Sequence, residues 1–157
     1  MNVGAFGLKT PRELLIKMEH DLELLKAAPF DPYLAFNFFI TAECMLDWLY
    51  PGNSNRLTRE NIRNSDILLQ ITSHIASGGK HFSNLSSHHK SVSDTTPSAG
   101  YFADYFPKEA FPKGYFGQGV LVIHLDGDAE RTLGSTINAV HLAEMVLAYW
   151  QAPGRVP

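Results

Sequence analysis

The sequence predicts a mainly α-helical domain, a four-helix bundle with a small antiparallel β insertion between helices 3 and 4. Residues Asp31 to Gly52, DPYLAFNFFITAECMLDWLYPG, make a helical run that is apolar on nearly every side, interrupted only by Asn37, Thr41, Glu43 and Asp47. A helix that is greasy all round has to be enclosed by other elements, so this one is expected to be the central rod. Three further runs place apolar residues at helical spacing between start and stop signals of their own. Ahead of the last of them lies Val120 to Leu125, VLVIHL, bounded by Gly119 and by Asp126-Gly127. Its length and β-branched content are those of a strand.

Residues 1–9 read as a loose arm. At Thr10-Pro11-Arg12-Glu13 a hydroxyl cap, a proline at the first helical position and a glutamate compose a reciprocal capping box. Leu14, Leu15, Met18, Leu22 and Leu25 follow, and Ala28-Pro29 ends the run. The central helix starts at an Asp31 cap with Pro32 in its first turn and stops at Pro51-Gly52, so the first two helices should pack antiparallel through a very short turn. A third helix, capped by Asn53 or Ser54, carries Leu57, Ile62, Ile67, Leu68, Ile71 and Ile75 until Ser77-Gly78-Gly79 stops it.

Residues 80–133 are expected to form a loop and the β insertion. The Ser, Thr and His rich part reads as surface loop with one short strand around Ser91 to Ser93. Asp126-Gly127-Asp128 reads as a turn and Glu130 to Leu133 as a return strand. Ser135 to Gln151, capped by Ser135 or Thr136, is the closing helix.

The 157 residues are expected to form a single domain spanning 1–157. Thirteen basic against sixteen acidic residues leave a net charge of −3, too mild to announce a nucleic-acid or membrane partner. Two carboxylates in the second half of the central helix argue against a membrane span, so no membrane partner is expected. The single Cys44 sits inside that helix, forms no internal disulfide and fits a reduced compartment. The N-terminal stretch lacks the basic start and apolar run of a secretion signal, which makes cytoplasm the expected location.

Chemistry has few places to sit. Arg63, Gln70, His74 and His81 fall along one edge of the third helix, a polar seam such as an RNA-cleaving bundle would use. In one continuous helix Arg63 and His74 would lie about 16 Å apart along the axis, too far to share one phosphate. Boundary residues hydrogen-bonded at the edge of the core are the simpler account. Arg56, Arg59 and Arg63 oppose the dipole at the start of that helix. Antiparallel pairing brings Asp47 near Arg56 or Arg59 and Glu43 near Arg59 or Arg63, which predicts structural ion pairs in preference to a phosphate patch. The same pairing puts Glu43 and Asp47 at the far end of the hairpin from His74 and His81.

No metal site and no cofactor are expected. The Glu-x-x-His pairs of a di-metal bundle are missing, His141 with Glu144 is the reverse order, and His81, His88 and His89 have no cysteine beside them. Gly117-Gln118-Gly119 precedes a strand instead of following one, so it is no cofactor loop. Tyr101, Phe102, Tyr105, Phe106, Phe111, Tyr115 and Phe116 are expected to cap an open bundle end; Lys108 and Lys113, set against Asp104 and Glu109, make a poor groove for nucleic acid.

Thr41-Ala42 with Asp47-Trp48, and Ile75-Ala76-Ser77-Gly78-Gly79-Lys80-His81-Phe82, resemble runs in a group of short uncharacterised bacterial proteins. Those carry a T-A-x-H-L-x-D-W type helix and an A-N-G-x-K-H-F type helix end, then strands and a closing helix ending in Trp. The resemblance spans roughly residues 31 to 150. It departs at Glu43-Cys44, where the group has a polar aromatic and His, and at Ser77 in place of Asn. The group is similar in plan to HEPN-like helical bundles, which implies toxin, defence or nucleic-acid contexts, although the Arg-x4-6-His signature of the active members is missing here.

Within the matched run Lys80 and His81, just past the expected helix stop, are candidates for holding an anionic ligand against a helix N-terminus. The functional expectation is a bundle that binds a protein or nucleic-acid partner without catalysis, with a homodimer compatible. The alternative is a ribonuclease-like toxin or defence protein using His81, Lys80 and either His74 or Arg63.

Overall fold

A computed structural model describes residues 6–80, 91–98 and 119–157. Within them the chain is mainly helical, with one three-stranded antiparallel sheet. Helix α1, Pro11–Ala27, opens on the expected capping box. The Thr10 hydroxyl accepts the Glu13 N–H at 3.2 Å, and Glu13 Oε2 accepts the Thr10 N–H at 2.8 Å. A further bond from the Lys9 N–H to the same carboxylate is the main influence holding the Glu13 carboxyl below its ordinary range.

Helix α2, Pro32–Leu49, begins at Asp31, whose carboxylate accepts the Tyr33 N–H at 2.8 Å. Its buried face, with Phe38, Phe39, Ala42, Met45 and Leu46, packs against Leu15, Met18, Leu22 and Leu25 of α1 and against two later helices. Three packed neighbours do not close the circle. Tyr33, Phe36, Asn37 and Asp47 are exposed, which corrects the expectation of a rod enclosed on every side. At 100° per residue Tyr33, Phe36 and Ile40 fall within about 60° of one another, so one arc of the helix faces outward.

The single third helix expected from Asn53 to Ser77 is two. After a short 3-10 turn, Asn53–Asn55, α3 runs Arg56–Asn64 and α4 runs Ile67–Lys80. Between them the Ser65 hydroxyl donates to the Ile62 carbonyl at 2.8 Å, and Asp66 Oδ1 accepts the Leu68 N–H at 2.9 Å. Asp66 thus caps a new helix in the manner of any N-terminal aspartate. The expected stop at Gly78-Gly79 also fails, because α4 continues to Lys80. Gly78 does not take up the left-handed conformation that a glycine cap requires.

The sheet comprises β1, Val92–Ser98, β2, Val120–Leu125, and β3, Thr136–Asn138, in the order β1-β2-β3. Thr96 pairs Val122 and Ile123 pairs Ile137, with a bulge between Val92 and Asp94. Ile123, Leu125 and Ile137 turn inward to the helical core. The Leu121 N–H donates to the Pro29 carbonyl at 3.1 Å, stitching β2 to the turn between α1 and α2.

Glu130 to Leu133 is not the return strand. It belongs to a short helix, α5, Gly127–Leu133, started by the Asp126 carboxylate and ended at Gly134, whose φ is +90°. Fully buried Ala129 anchors α5 to the core, and β3 supplies the return pairing a few residues later. The insertion therefore extends past 133 to Asn138. That residue, in place of Ser135 or Thr136, caps the closing helix α6, Ala139–Gln151, through a 2.7 Å bond to the Val140 N–H. α6 packs on α1, α2 and α4. Among the described residues no helix is long and apolar enough to cross a membrane.

A Cβ on Gly78 would meet nothing within 4 Å. Gly78→Ala is expected to raise the unfolding free energy by about 0.5–1 kcal/mol in a denaturant titration. A loss of stability would show that the glycine serves a conformation other than helix.

Candidate functional site

The break between α3 and α4 decides where the polar seam lies. Arg63, in the last turn of α3, points its Nη2 at Glu43 Oε1 on α2 at 2.7 Å. Past the break α4 packs on α2, and the Ser73 hydroxyl donates to the same Glu43 oxygen at 3.3 Å. Ser73 is the immediate neighbour of His74. The expectation that Glu43 lies at the opposite end from the third-helix histidines is therefore corrected: a change of axis at Ser65-Asp66 brings α4 alongside it.

One turn along α3, Arg59 Nε lies 3.0 Å from Asp47 Oδ1, and its Nη1 donates to the Tyr50 and Gly52 carbonyls. Arg59 so closes the C-terminal end of α2, where a cation is favoured by the dipole. Arg56 does not reach Asp47. It pairs within its own helix with Glu60 at 2.8 Å, and that carboxylate raises the guanidinium above its ordinary range. The i,i+4 partner lies closer to Arg56 than anything across the hairpin.

His74 has a different task from the one its seam suggests. Its Nδ1 lies 3.2 Å from the Ser91 N–H and 3.0 Å from the Val92 N–H, with the Ser91 hydroxyl at 3.2 Å. Backbone N–H groups only donate, so Nδ1 is the acceptor and the ring proton of the neutral imidazole belongs on Nε2. The histidine clasps the start of β1 to α4. Gln70, one turn earlier, donates to the Asn64 carbonyl at 2.9 Å across the α3–α4 break. His81 and the side chain of Lys80 lie outside the described residues, as do His88, His89 and the aromatic segment from Tyr101 to Phe116.

One polar cluster escaped the sequence reading. The buried Asp21 carboxylate on α1 accepts from Lys17 Nζ at 2.5 Å and stands 3.0 Å from the Thr41 hydroxyl on α2, while Lys17 Nζ also reaches Thr41 at 2.9 Å. The available signal was positional. Asp21 falls three residues after Met18 and four before Leu25, on the apolar arc, where a carboxylate has to find partners. Among the described residues Arg63 Nε, Thr72 Oγ1 and Trp150 Nε1 are buried without a hydrogen-bond partner. A shallow cavity of about 250 Å³ lies between α4, β1 and α5, lined by Gln70, Ser91, Asp128 and Arg131 among others. Asp128 and Arg131 are already paired to each other. Among the described residues no three His, Cys, Asp or Glu side chains gather where they could hold a metal ion.

Comparison with protein-family models, with curated proteins and with solved structures gave no match.

Glu43→Gln leaves Arg63, only 22% exposed, without its counter-charge and is expected to cost about 2–3 kcal/mol of stability in denaturant unfolding. The double change Glu43→Leu with Arg63→Met should recover most of it, and equal losses in both variants would remove the ion pair from the account. Imidazole nitrogen NMR should show the His74 proton on Nε2; a proton on Nδ1 would contradict the clasp.

Proposed function

We propose that this chain is a cytoplasmic binding module of HEPN-like plan, a four-helix bundle with a β insertion, that engages a partner without catalysis. The observation carrying this reading is that the seam's described polar groups are already engaged within the fold. Glu43 is shared by Arg63 and Ser73, Gln70 bridges the α3–α4 break, and His74 Nδ1 is occupied by the β1 backbone. General acid–base or phosphate-stabilising work needs such groups turned toward a ligand, and here they hold helices and a strand together. The HEPN-like part of the proposal is supported by the D-W and G-x-K-H-F runs and by the order of helices and strands that follows them.

A ribonuclease-like reading, using His81, Lys80 and either His74 or Arg63, is favoured by a different observation. The Ser73–Glu43 bond sets a carboxylate beside the histidine-bearing helix, and a carboxylate next to imidazoles is the usual setting for proton transfer.

Incubation of total RNA with wild type and His81→Ala separates the two. The binding module is expected to leave RNA intact in both cases; cleavage by wild type that His81→Ala loses would establish the ribonuclease.

A further inference from the structure

We propose that His74 is a pH-operated latch on the start of β1: unprotonated at Nδ1 it holds Ser91 and Val92 against α4, and protonation there releases that end of the strand. The Ser91 and Val92 N–H groups, 3.2 and 3.0 Å away, only donate, so a proton on Nδ1 would face two donors. The Ser91 hydroxyl at 3.2 Å can turn to accept that proton, but it restores neither amide bond. Histidine is the side chain that ordinarily exchanges its proton between about pH 5 and 8. The device is separate from the binding reading above and stands or falls without it.

The latch sits where few other bonds hold the strand. Ser91 is only 7% exposed, so amides released from the imidazole reach water only if the backbone moves. Against β2 the Ser91 carbonyl accepts the Asp126 N–H at 3.0 Å. The bulge then sets Val92 apart from the regular register that begins at Asp94. Ser91 also walls the cavity between α4, β1 and α5, so movement of this end opens that wall.

The three groups at Nδ1 carry no charge, and the charges on the elements packed against α4 have other engagements. From α2 and α3, Glu43 meets Arg63 and Ser73, Asp47 meets Arg59, and Arg56 meets Glu60. On α5 Asp128 meets Arg131, with Glu130 exposed, and on β1 the Asp94 carboxylate accepts the Thr95 N–H. His141 and Glu144 of α6 lie together on the side that reaches Lys26 of α1. The proton on His74 itself is therefore the change that acts on the clasp. The closed form excludes that proton and the released form takes it up, so the latch is fastened at high pH and weakens as pH falls.

The test follows the full chain by NMR from about pH 8 to about pH 5, reading the His74 imidazole nitrogens and the amide protection factors of Ser91 and Val92. Those factors are expected to fall by about tenfold or more in step with His74 protonation, while core amides of α1 and α2 keep theirs. His74→Asn sets a carbonyl oxygen near the Nδ1 position with no titrating proton, and should hold the two amides equally at every pH. His74→Phe, which has no acceptor, should leave them weakly protected throughout. A His74 that stays unprotonated down to the lowest pH, protection that does not change as it protonates, separate midpoints for the two events, or a fall that His74→Asn reproduces would each overturn the latch. Where a variant does not fold, the two wild-type midpoints decide alone.

Discussion

Glu43 carries one oxygen that accepts from Arg63 at 2.7 Å and from Ser73 at 3.3 Å, and the mutual placement of α2, α3 and α4 depends on that shared acceptor. The carboxylate is largely withdrawn from water, which is costly unless donors replace the lost hydration. Two donors from two different helices do so. The arrangement matters most for α3, a nine-residue helix with no buried residue of its own. Half-buried Ile62 packs on the core, and polar attachments add to it: Arg59 to Asp47 and to the Tyr50 and Gly52 carbonyls, Arg63 to Glu43, and Gln70 to the Asn64 carbonyl. Past the Ser65-Asp66 break α4 packs along α2, where Ser73 meets the same carboxylate.

Local chemistry made much of the fold legible. The capping box at Thr10, the Asp31-Pro32 start and the β-branched run at Val120 each act over a few residues, and each element begins where those signals stand. Antiparallel pairing across a short turn narrows Asp47 to Arg56 or Arg59 and Glu43 to Arg59 or Arg63, and the structure takes Arg59 and Arg63. The Ser65-Asp66 break is hidden in the sequence because apolar residues resume at Ile67 and Leu68 directly after it, and its only local signal is the capping carboxylate of Asp66. Residues 130–133 went the other way. A capping Asp126 and a terminating Gly134 outweighed the modest strand preference of Thr132 and Leu133. The partner of His74 was not readable at all, since it depends on where a strand seventeen residues away is laid down.

The same helix serves as core and as surface. On one side of α2 Phe38, Phe39 and Met45 are sealed; on the other Tyr33 and Phe36 meet solvent. Sequence composition cannot distinguish an apolar residue that will be covered from one that will not, because both have the same hydropathy. Only the number and direction of the packed neighbours decides. The polar groups follow the complementary logic: Asp21, Glu43 and His74 sit between elements, and each ties two or more of them.

Among the described residues β1 lies at the edge of the sheet, with a bulge between Val92 and Asp94 and a proline at position 97. Proline has no N–H to offer, and a bulge breaks the even row of donors and acceptors that an incoming strand would copy. An edge of this kind is poorly suited to templating cross-β growth.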